Sequence, residues 1–524
     1  MADKFKLTYA TMFNPPPELH TRFDEALADV KSNLGREYGM LINGQERFTE
    51  QKFNDRVPSD TDIVLGVFQK GTAQDAHDAL AAARTAFPAW SRLPWQERIA
   101  YLRKAADLID DRIFAISAVL SMEVGKNRME ALGDVAETAD LIRYACFQME
   151  KNAGFQVAMG SDPLVGYTAT NKSVLRPYGV WLVISPFNFP GALTGGPSGA
   201  ALAAGNTIVM KPATDTPFTV RLLAECFRDA GLPEGVFNYV TGPGRTLGQA
   251  LIESPEVDGV TFTGSYDVGM NIYRTFAQGQ YVRPTILELG GKNPVIVSRN
   301  ADLERAAIGI VRSAFGLQGQ KCSACSRAFI EEPVYDALVE KIVALTQKLK
   351  IGDPTAQDVY LGPVVNQASY NDFKDFTADL RRSGNILTGG NVLTDGIFEN
   401  GYFCEPTIVA DLPLDHRLWK LEMFLPITTV AKVENLETAM QLANDVDYGL
   451  TAGFYGSKSE AQWFFDQIEA GVNYANRPQG ATTGAWPGFQ PFGGWKGSGS
   501  SGKNAGGHYY LQLYMHEQIH TLID

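Results

Sequence analysis

Cysteine and histidine are scarce in this chain of 524 residues, with five of the first (Cys146, Cys226, Cys322, Cys325, Cys404) and six of the second. An odd handful of thiols spread that thinly is not a disulfide framework and points to a reducing compartment. Cys322 and Cys325 form a C-x-x-C pair, but no second pair accompanies it and no histidine stands at ligand spacing, so no structural metal is expected. There is no apolar run long enough to span a bilayer, and no apolar core behind the opening Met-Ala-Asp-Lys-Phe-Lys, so a cytoplasmic protein is expected. Positive charge is also in short supply. A formal net charge of −13 disfavours a nucleic-acid or anionic-membrane partner, although local dipoles can still hold a small anion. Internal repeats are absent, and the one segment of low complexity is the glycine-rich stretch 493–507.

What the chain does have is length and apolar content: 45% hydrophobic against 20% charged residues, enough for two or three domains. Residues 1–60 read as a wrapping arm with Pro15-Pro16-Pro17, a charged helical stretch over 21–34 and a turn at Asn43-Gly44. Helices are predicted over 73–90, 95–121 and 127–151; none carries a chemical signature, and their charged faces read as solvated surface. The period changes at 165, where an alternating strand runs to 178 with a turn near Asn171. Strands over 180–185, 207–211, 236–240 and 260–263 then alternate with helices over 194–205, 217–230 and 244–253, which predicts a parallel sheet with ligands at its carboxyl ends. A second α/β series covers 285–475, and the glycine-rich loop leads to a last strand over 508–515.

Several stretches carry chemistry. Gly319-Gln-Lys-Cys322 places a thiol after an apolar run of helical spacing, where a loop meets a cleft; taken alone, such a cysteine is as often an inert core residue. Phe262-Thr-Gly-Ser-Tyr-Asp-Val-Gly269 follows an apolar strand and opens a helix, so amides beside Gly264 and Ser265 can face a diphosphate, although an ordinary capped turn has the same pattern. Lys211 ends a strand within reach of a ribose. Glu288, before Gly290-Gly291, is a carboxylate suited to moving a proton in a cleft. Asn188 sits in the aromatic turn Ser185-Pro-Phe-Asn-Phe-Pro190 and can donate to an oxyanion.

In that order, with acid and thiol 34 residues apart, these groups resemble the aldehyde dehydrogenase superfamily over residues 40 to the end; Glu-Leu-Gly-Gly-Lys-Asn-Pro and Gly-Gln-x-Cys are its hallmarks. The resemblance implies an α/β aldehyde dehydrogenase fold in three parts: an N-terminal arm and Rossmann-like cofactor domain (1–287, with hairpin 160–178 in a small β oligomerisation flap), an α/β catalytic domain (288–480), and an anchor loop with oligomerisation tail (481–524). It implies Cys322 as nucleophile, Glu288 as base and Asn188 as oxyanion donor. It implies cofactor contacts from Ser185, Pro186, Phe187, Lys211, Ala213, Thr214, Gly244, Gly264, Ser265, Gly269, Leu289, Glu422 and Phe424.

The nearest subgroup resemblance is to enzymes that oxidise L-glutamate γ-semialdehyde to glutamate in proline catabolism. It rests on Cys322-Ser-Ala-Cys-Ser-Arg327 and on Thr483-Gly-Ala485 before Gln490-Pro-Phe-Gly-Gly494. It implies that Ser323, Gly484 and Ala485 grip a carboxylate while Phe187 and Phe489 line the tunnel. NAD is the expected cofactor. NADP stays open, because Thr214 stands where NAD-preferring members carry glutamate. Two further departures are Leu425 in place of a glycine, which puts the local turn in question, and Trp486-Pro487 in the anchor loop. The rival readings are another semialdehyde or broad-range aldehyde dehydrogenase, a catalytically silent structural relative, and one half of a bifunctional proline-oxidising assembly. A homodimer or larger homo-oligomer is expected, since a last strand without partners would expose an edge.

Overall fold

The computed structural model describes residues 15–163 and 165–523; the opening segment read for a signal core lies outside them. Its first sheet has seven strands: β1 (Met40–Ile42), β2 (Gln45–Arg47), β3 (Val180–Ile184), β4 (Thr207–Lys211), β5 (Phe237–Tyr239), β6 (Gly259–Thr263) and β7 (Thr285–Glu288). They lie in the order β7-β6-β3-β4-β5-β1-β2, parallel from β7 to β5 and antiparallel beyond. The central strands are unbroken apolar runs because both faces are covered. Trp181, Val183, Ile208 and Met210 join one core, and Val180, Leu182 and Val209 the other. Each such side chain contributes roughly 1.5–3 kcal/mol.

Strand order reverses at β3, between β6 on one side and β4 on the other, and the crevice at a reversal point is where open α/β sheets bind ligands. The second sheet comprises β8 (Asn293–Val297), β9 (Cys325–Glu331), β10 (Asn385–Thr388), β11 (Thr407–Ala410), β12 (Ile427–Val433), β13 (Thr451–Tyr455) and β14 (Val472–Ala475). Its order is β10-β11-β12-β9-β8-β13-β14, with only β10 antiparallel. Only four residues separate the end of β7 from the start of β8, so the carboxyl edge of one sheet meets the amino edge of the other.

The helices that matter for the site are α1 (Pro17–Ser32), α2 (Ala73–Arg92), α3 (Trp95–Asp111), α4 (Ile113–Val124), α5 (Arg128–Lys151), α6 (Ala192–Ala204), α7 (Pro217–Asp229), α8 (Tyr266–Ala277) and α9 (Leu303–Phe315). Several expectations need correction. The helix predicted over 95–121 is two, broken at Arg112 (φ −101°, ψ 13°), whose guanidinium reaches Asp229 across to α7. The helix predicted over 244–253 opens with a π-helical turn, Gly244–Gly248. The arm does more than wrap, because β1 and β2 extend the first sheet through the Asn43-Gly44 turn.

No turn occurs at Asn171: Ala169–Pro177 is one continuous strand, paired with Gln156–Ala158 on one side and Met515–Ile523 on the other. The last strand therefore begins where it was predicted to end. Tyr510, Leu511 and Tyr514 are buried at a helical spacing in a short 3-10 turn before it. No helix among the described residues is long and apolar enough to cross a membrane.

Candidate active site

Cys322 lies between α9 and β9, on a loop whose backbone is forced into an unfavourable conformation. Leu317 and Gln318 have φ of 49° and 54°, values that side chains with a Cβ rarely adopt. The surroundings over-determine them. Glu130 of α5 accepts from Leu317 N at 2.9 Å and from Lys321 Nζ, while Gln318 Nε2 donates to Gly125 O and Val365 N donates to Gln320 Oε1. On the far side Asn293 Nδ2 donates to Cys322 O (2.7 Å) and Ala324 O (2.9 Å), and Thr482 Oγ1 donates to Ser323 O. The Cys322 loop is thus clamped by α5 and by the start of β8.

Asn188 donates through Nδ2 to Gln320 O at 3.0 Å, two residues before Cys322. An amide NH2 carries two hydrogens, so one remains for a ligand. Glu288 ends β7, 6% exposed, and its Oε2 has no hydrogen-bond partner among the described residues. Burial pushes its carboxyl well above the usual range. Cys322 is partly exposed, but burial, with the charges of Glu422 and Glu288 behind it, pushes its thiol up to about 12. The resting site therefore favours a neutral acid and a neutral thiol, a pair that becomes strongly basic and nucleophilic once ionised.

Both groups line one cavity of about 950 Å³, together with Ser323, Gly484 and Ala485. Gly484 has φ +124°, and a Cβ there would come within 2.0 Å of Arg477 Nη1. Arg477 donates to Thr483 O (2.8 Å) and Gly484 O (3.1 Å), tying down the loop's carbonyls. Phe489 is a correction: it is 61% exposed and lies outside the cavity lining. Trp486 and Phe189 line the cavity, and the Trp486 Nε1–H donates to Asp140 Oδ2 at 3.1 Å. Phe187 is likewise outside that lining, set edge-on to Phe424 at 5.7 Å.

The cofactor candidates gather around the strand-order reversal. Ser185, just past β3, has a buried Oγ without a partner among the described residues. It leads into Pro186 and Phe187. Gly264 and Ser265 follow β6 and open α8, whose N-cap makes no side-chain hydrogen bond, leaving helix-start amides for an anion. Gly269 packs against Leu289, where a Cβ would come within 2.4 Å of Cδ2.

Lys211 ends β4. Burial lowers its ammonium to about 8, and its Nζ rests 3.1 Å from Pro212 O. Ala213 and Thr214 follow it, Thr214 exposed, and Gly244 opens the π-helical turn. Glu422, pushed up to about 7 by burial, accepts from Gly291 N at 2.7 Å; a Cβ at Gly290 would come within 2.2 Å of its Oε2. The left-handed residue of this turn is Phe424 (φ 55°), while Leu425 is 4% exposed in the core, so the missing glycine does not disturb the turn. An unpartnered hydroxyl, uncapped helix amides and a clasped carboxylate form a donor and acceptor set that fits a dinucleotide.

The aldehyde dehydrogenase family profile matches residues 46–519. The chain belongs to the aldehyde dehydrogenase family. It is 38% identical over 498 residues to the 1-pyrroline-5-carboxylate dehydrogenase of Geobacillus sp. (strain WCH70), covering 94% of each. Among solved structures it is similar to a Thermus 1-pyrroline-5-carboxylate dehydrogenase with bound NAD, at 33% identity, TM-score 0.93 and full coverage of both chains. Proline utilization A from Bdellovibrio bacteriovorus matches at 34% identity and TM-score 0.90; 96% of this chain covers 51% of that one.

Sequence reasoning missed the contribution of α5 altogether. Its acidic residues were read as solvated surface, yet Asp134 is buried and Glu137, which burial raises to about 8, faces the cavity. The signal was available, since Asp134 and Glu137 stand three apart on the same face as Ala131 and Thr138. Arg477 and Glu130 had no comparable signal. Asp134 Oδ2 accepts from Lys126 Nζ at 2.9 Å with both side chains fully buried, and its Oδ1 accepts from Ala192 N at the start of α6. Asp134→Ala strands a buried ammonium, so denaturant unfolding should show a loss of about 3–5 kcal/mol.

Proposed function

We propose that this aldehyde dehydrogenase oxidises L-glutamate γ-semialdehyde, the open form of 1-pyrroline-5-carboxylate, to L-glutamate with NAD, in proline catabolism. NADP stays open beside it, since Thr214 brings no charge against a 2′-phosphate. The observation that carries the reading is a shared cavity: Cys322, Glu288 and the loop residues Ser323, Gly484 and Ala485 line it together with the carboxyl of Glu137. A nucleophile, a base, donors for a carboxylate and acceptors for an ammonium are what an amino-acid semialdehyde needs. A semialdehyde without an amino group has no use for Glu137, which an incoming ammonium would ionise.

Ser185, Pro186, Phe187, Lys211, Ala213, Thr214, Gly244, Gly264, Ser265, Gly269, Leu289, Glu422 and Phe424 would hold the cofactor. Bound there, the nicotinamide supplies the hydride acceptor, so that aldehyde and water leave as carboxylate and two protons. Cys322, its proton lost to solvent, adds through Sγ to the carbonyl carbon, and Asn188 steadies the oxygen through its second N–H. Loss of hydride from that carbon leaves a thioester on Cys322. Glu288 then takes a proton from water, whose oxygen adds to the thioester carbon; the C–S bond breaks and sulfur leaves as thiolate.

The same reading assigns the cofactor crevice to 1–287, the nucleophile to 288–480 and the carboxylate loop and tail to 481–524. Free thiols at all five cysteines are consistent with a reducing cytoplasm. The strand Met515–Ile523 has one partner strand, and Ile519, Leu522 and Ile523 are about half exposed along it, which supports pairing with a second copy.

Cys322→Ala should abolish turnover while nucleotide binding survives in a fluorescence titration; oxidation by that variant would sink the assignment. Glu288→Gln should release one hydride per site and then stall, and steady turnover at the wild-type rate would count against the base. In initial-rate assays glutamate semialdehyde should exceed succinate semialdehyde and propanal in kcat/KM by at least roughly tenfold, the order of one charged hydrogen bond. Light scattering of the full chain should give a dimer or larger species, and ending the chain at Tyr514 should give monomers.

A further inference from the structure

Glu288 faces a second, much smaller cavity. Its volume is about 30 Å³, room for one water, and its wall includes Glu288, Thr263, Tyr144 and Tyr510. A chain of hydrogen bonds ends at the same cavity. Trp181 Nε1 lies 3.0 Å from Thr261 Oγ1, which lies 3.0 Å from the Tyr514 hydroxyl, which lies 2.8 Å from the Tyr510 hydroxyl. All four residues are buried at 5% exposure or less.

Donor arithmetic fixes the first step of that chain and leaves its two hydroxyl pairs reversible. An indole N–H can only donate, so Thr261 accepts from it; a hydroxyl has a second lone pair, so either oxygen can donate between Thr261 and Tyr514 and between Tyr514 and Tyr510. In the arrangement where Thr261 donates to Tyr514 and Tyr514 donates to Tyr510, the chain leaves the Tyr510 proton over. That proton then faces the cavity whose wall includes Glu288, and Glu288 Oε2 has no hydrogen-bond partner among the described residues. Burial first, and then the neighbouring Tyr514 and Glu288, hold the Tyr510 phenol protonated and therefore able to donate.

We infer that Tyr510 is a positioning residue for Glu288, donating through one water in the small cavity to the carboxylate and holding it in its basic form. The inference rests on the reading of Glu288 as the hydrolytic base. Other titratable groups around Glu288 are Cys322 from the nucleophile loop, Tyr514 from the 3-10 turn and Tyr144 from α5; Glu130 and Glu137 of α5, Arg312 of α9, Lys321 and Arg477 line the larger cavity with it, and α6 and β6 bring none.

Tyr510→Phe removes the donor and keeps the ring. The acid limb of its kcat–pH profile should move up by about one unit, a roughly tenfold loss near neutrality that disappears at alkaline pH. The amplitude of the first-turnover hydride burst should stay at one per site, because Cys322 is untouched. Tyr514→Phe should shift the limb the same way by less. A folded Tyr510→Phe enzyme with an unmoved acid limb overturns the inference. If that variant does not fold, 3-fluorotyrosine at position 510, nearly isosteric and a stronger donor, must move the limb down, and no movement is equally fatal. Glu288→Gln separates the two readings: if it stalls while the Tyr510 variants leave the limb in place, only this inference fails, whereas normal turnover by Glu288→Gln removes the base itself.

Discussion

The removal of water from a carboxylic acid and a thiol, at the seam between two mainly parallel sheets, is the constraint on which the rest of this structure depends. Glu288 ends the last strand of the first sheet, and Cys322 sits on the loop that leads into β9 of the second. Burial raises the proton affinity of both. In water either group would settle into an unremarkable ionisation state. Here each is held back from its charge until something in the cavity stabilises it, so the protein's contribution is the shape and dryness of the seam as much as the two side chains.

Holding that seam requires support on both sides. The Cys322 loop contains non-glycine residues in left-handed conformations, held by Glu130 at Leu317 N and Gly125 O at the Gln318 amide, while Asn293 and Thr482 donate to the carbonyls of Cys322, Ser323 and Ala324. α5 is the common support. From one helix, Glu130 grips the loop, Asp134 neutralises buried Lys126 and caps the start of α6, and Glu137 faces the cavity. A helix that reads as plain amphipathic scaffold therefore joins the Cys322 loop to the wall of the pocket.

The crevice at the strand-order reversal follows a simpler logic. Parallel strands deliver their carboxyl ends, and the helix starts beyond them, to one edge, so Ser185, Lys211 and Gly264 come together although they are far apart in the chain. Glu422 arrives from the second sheet's side and is fitted against Gly290 and Gly291. The substitution at Leu425, which looks disruptive in the sequence, is absorbed because Phe424 carries the left-handed turn and Leu425 turns into the core.

By itself the sequence determined the α/β class, the alternation of apolar strands with small-residue helices, and the order of Asn188, Lys211, Glu288 and Cys322. These are local signals, carried by periodicity and by short motifs that survive without knowledge of neighbours. The tertiary structure decided what periodicity cannot encode. The tail's Tyr510, Leu511 and Tyr514 have the composition of a strand but fold as a turn against Trp181, Phe489 faces out while Trp486 lines the cavity, and acidic residues of α5 face inward. In each case the outcome depends on which distant surface the segment meets, and a burial free energy belongs to the pair of surfaces and not to either stretch of chain.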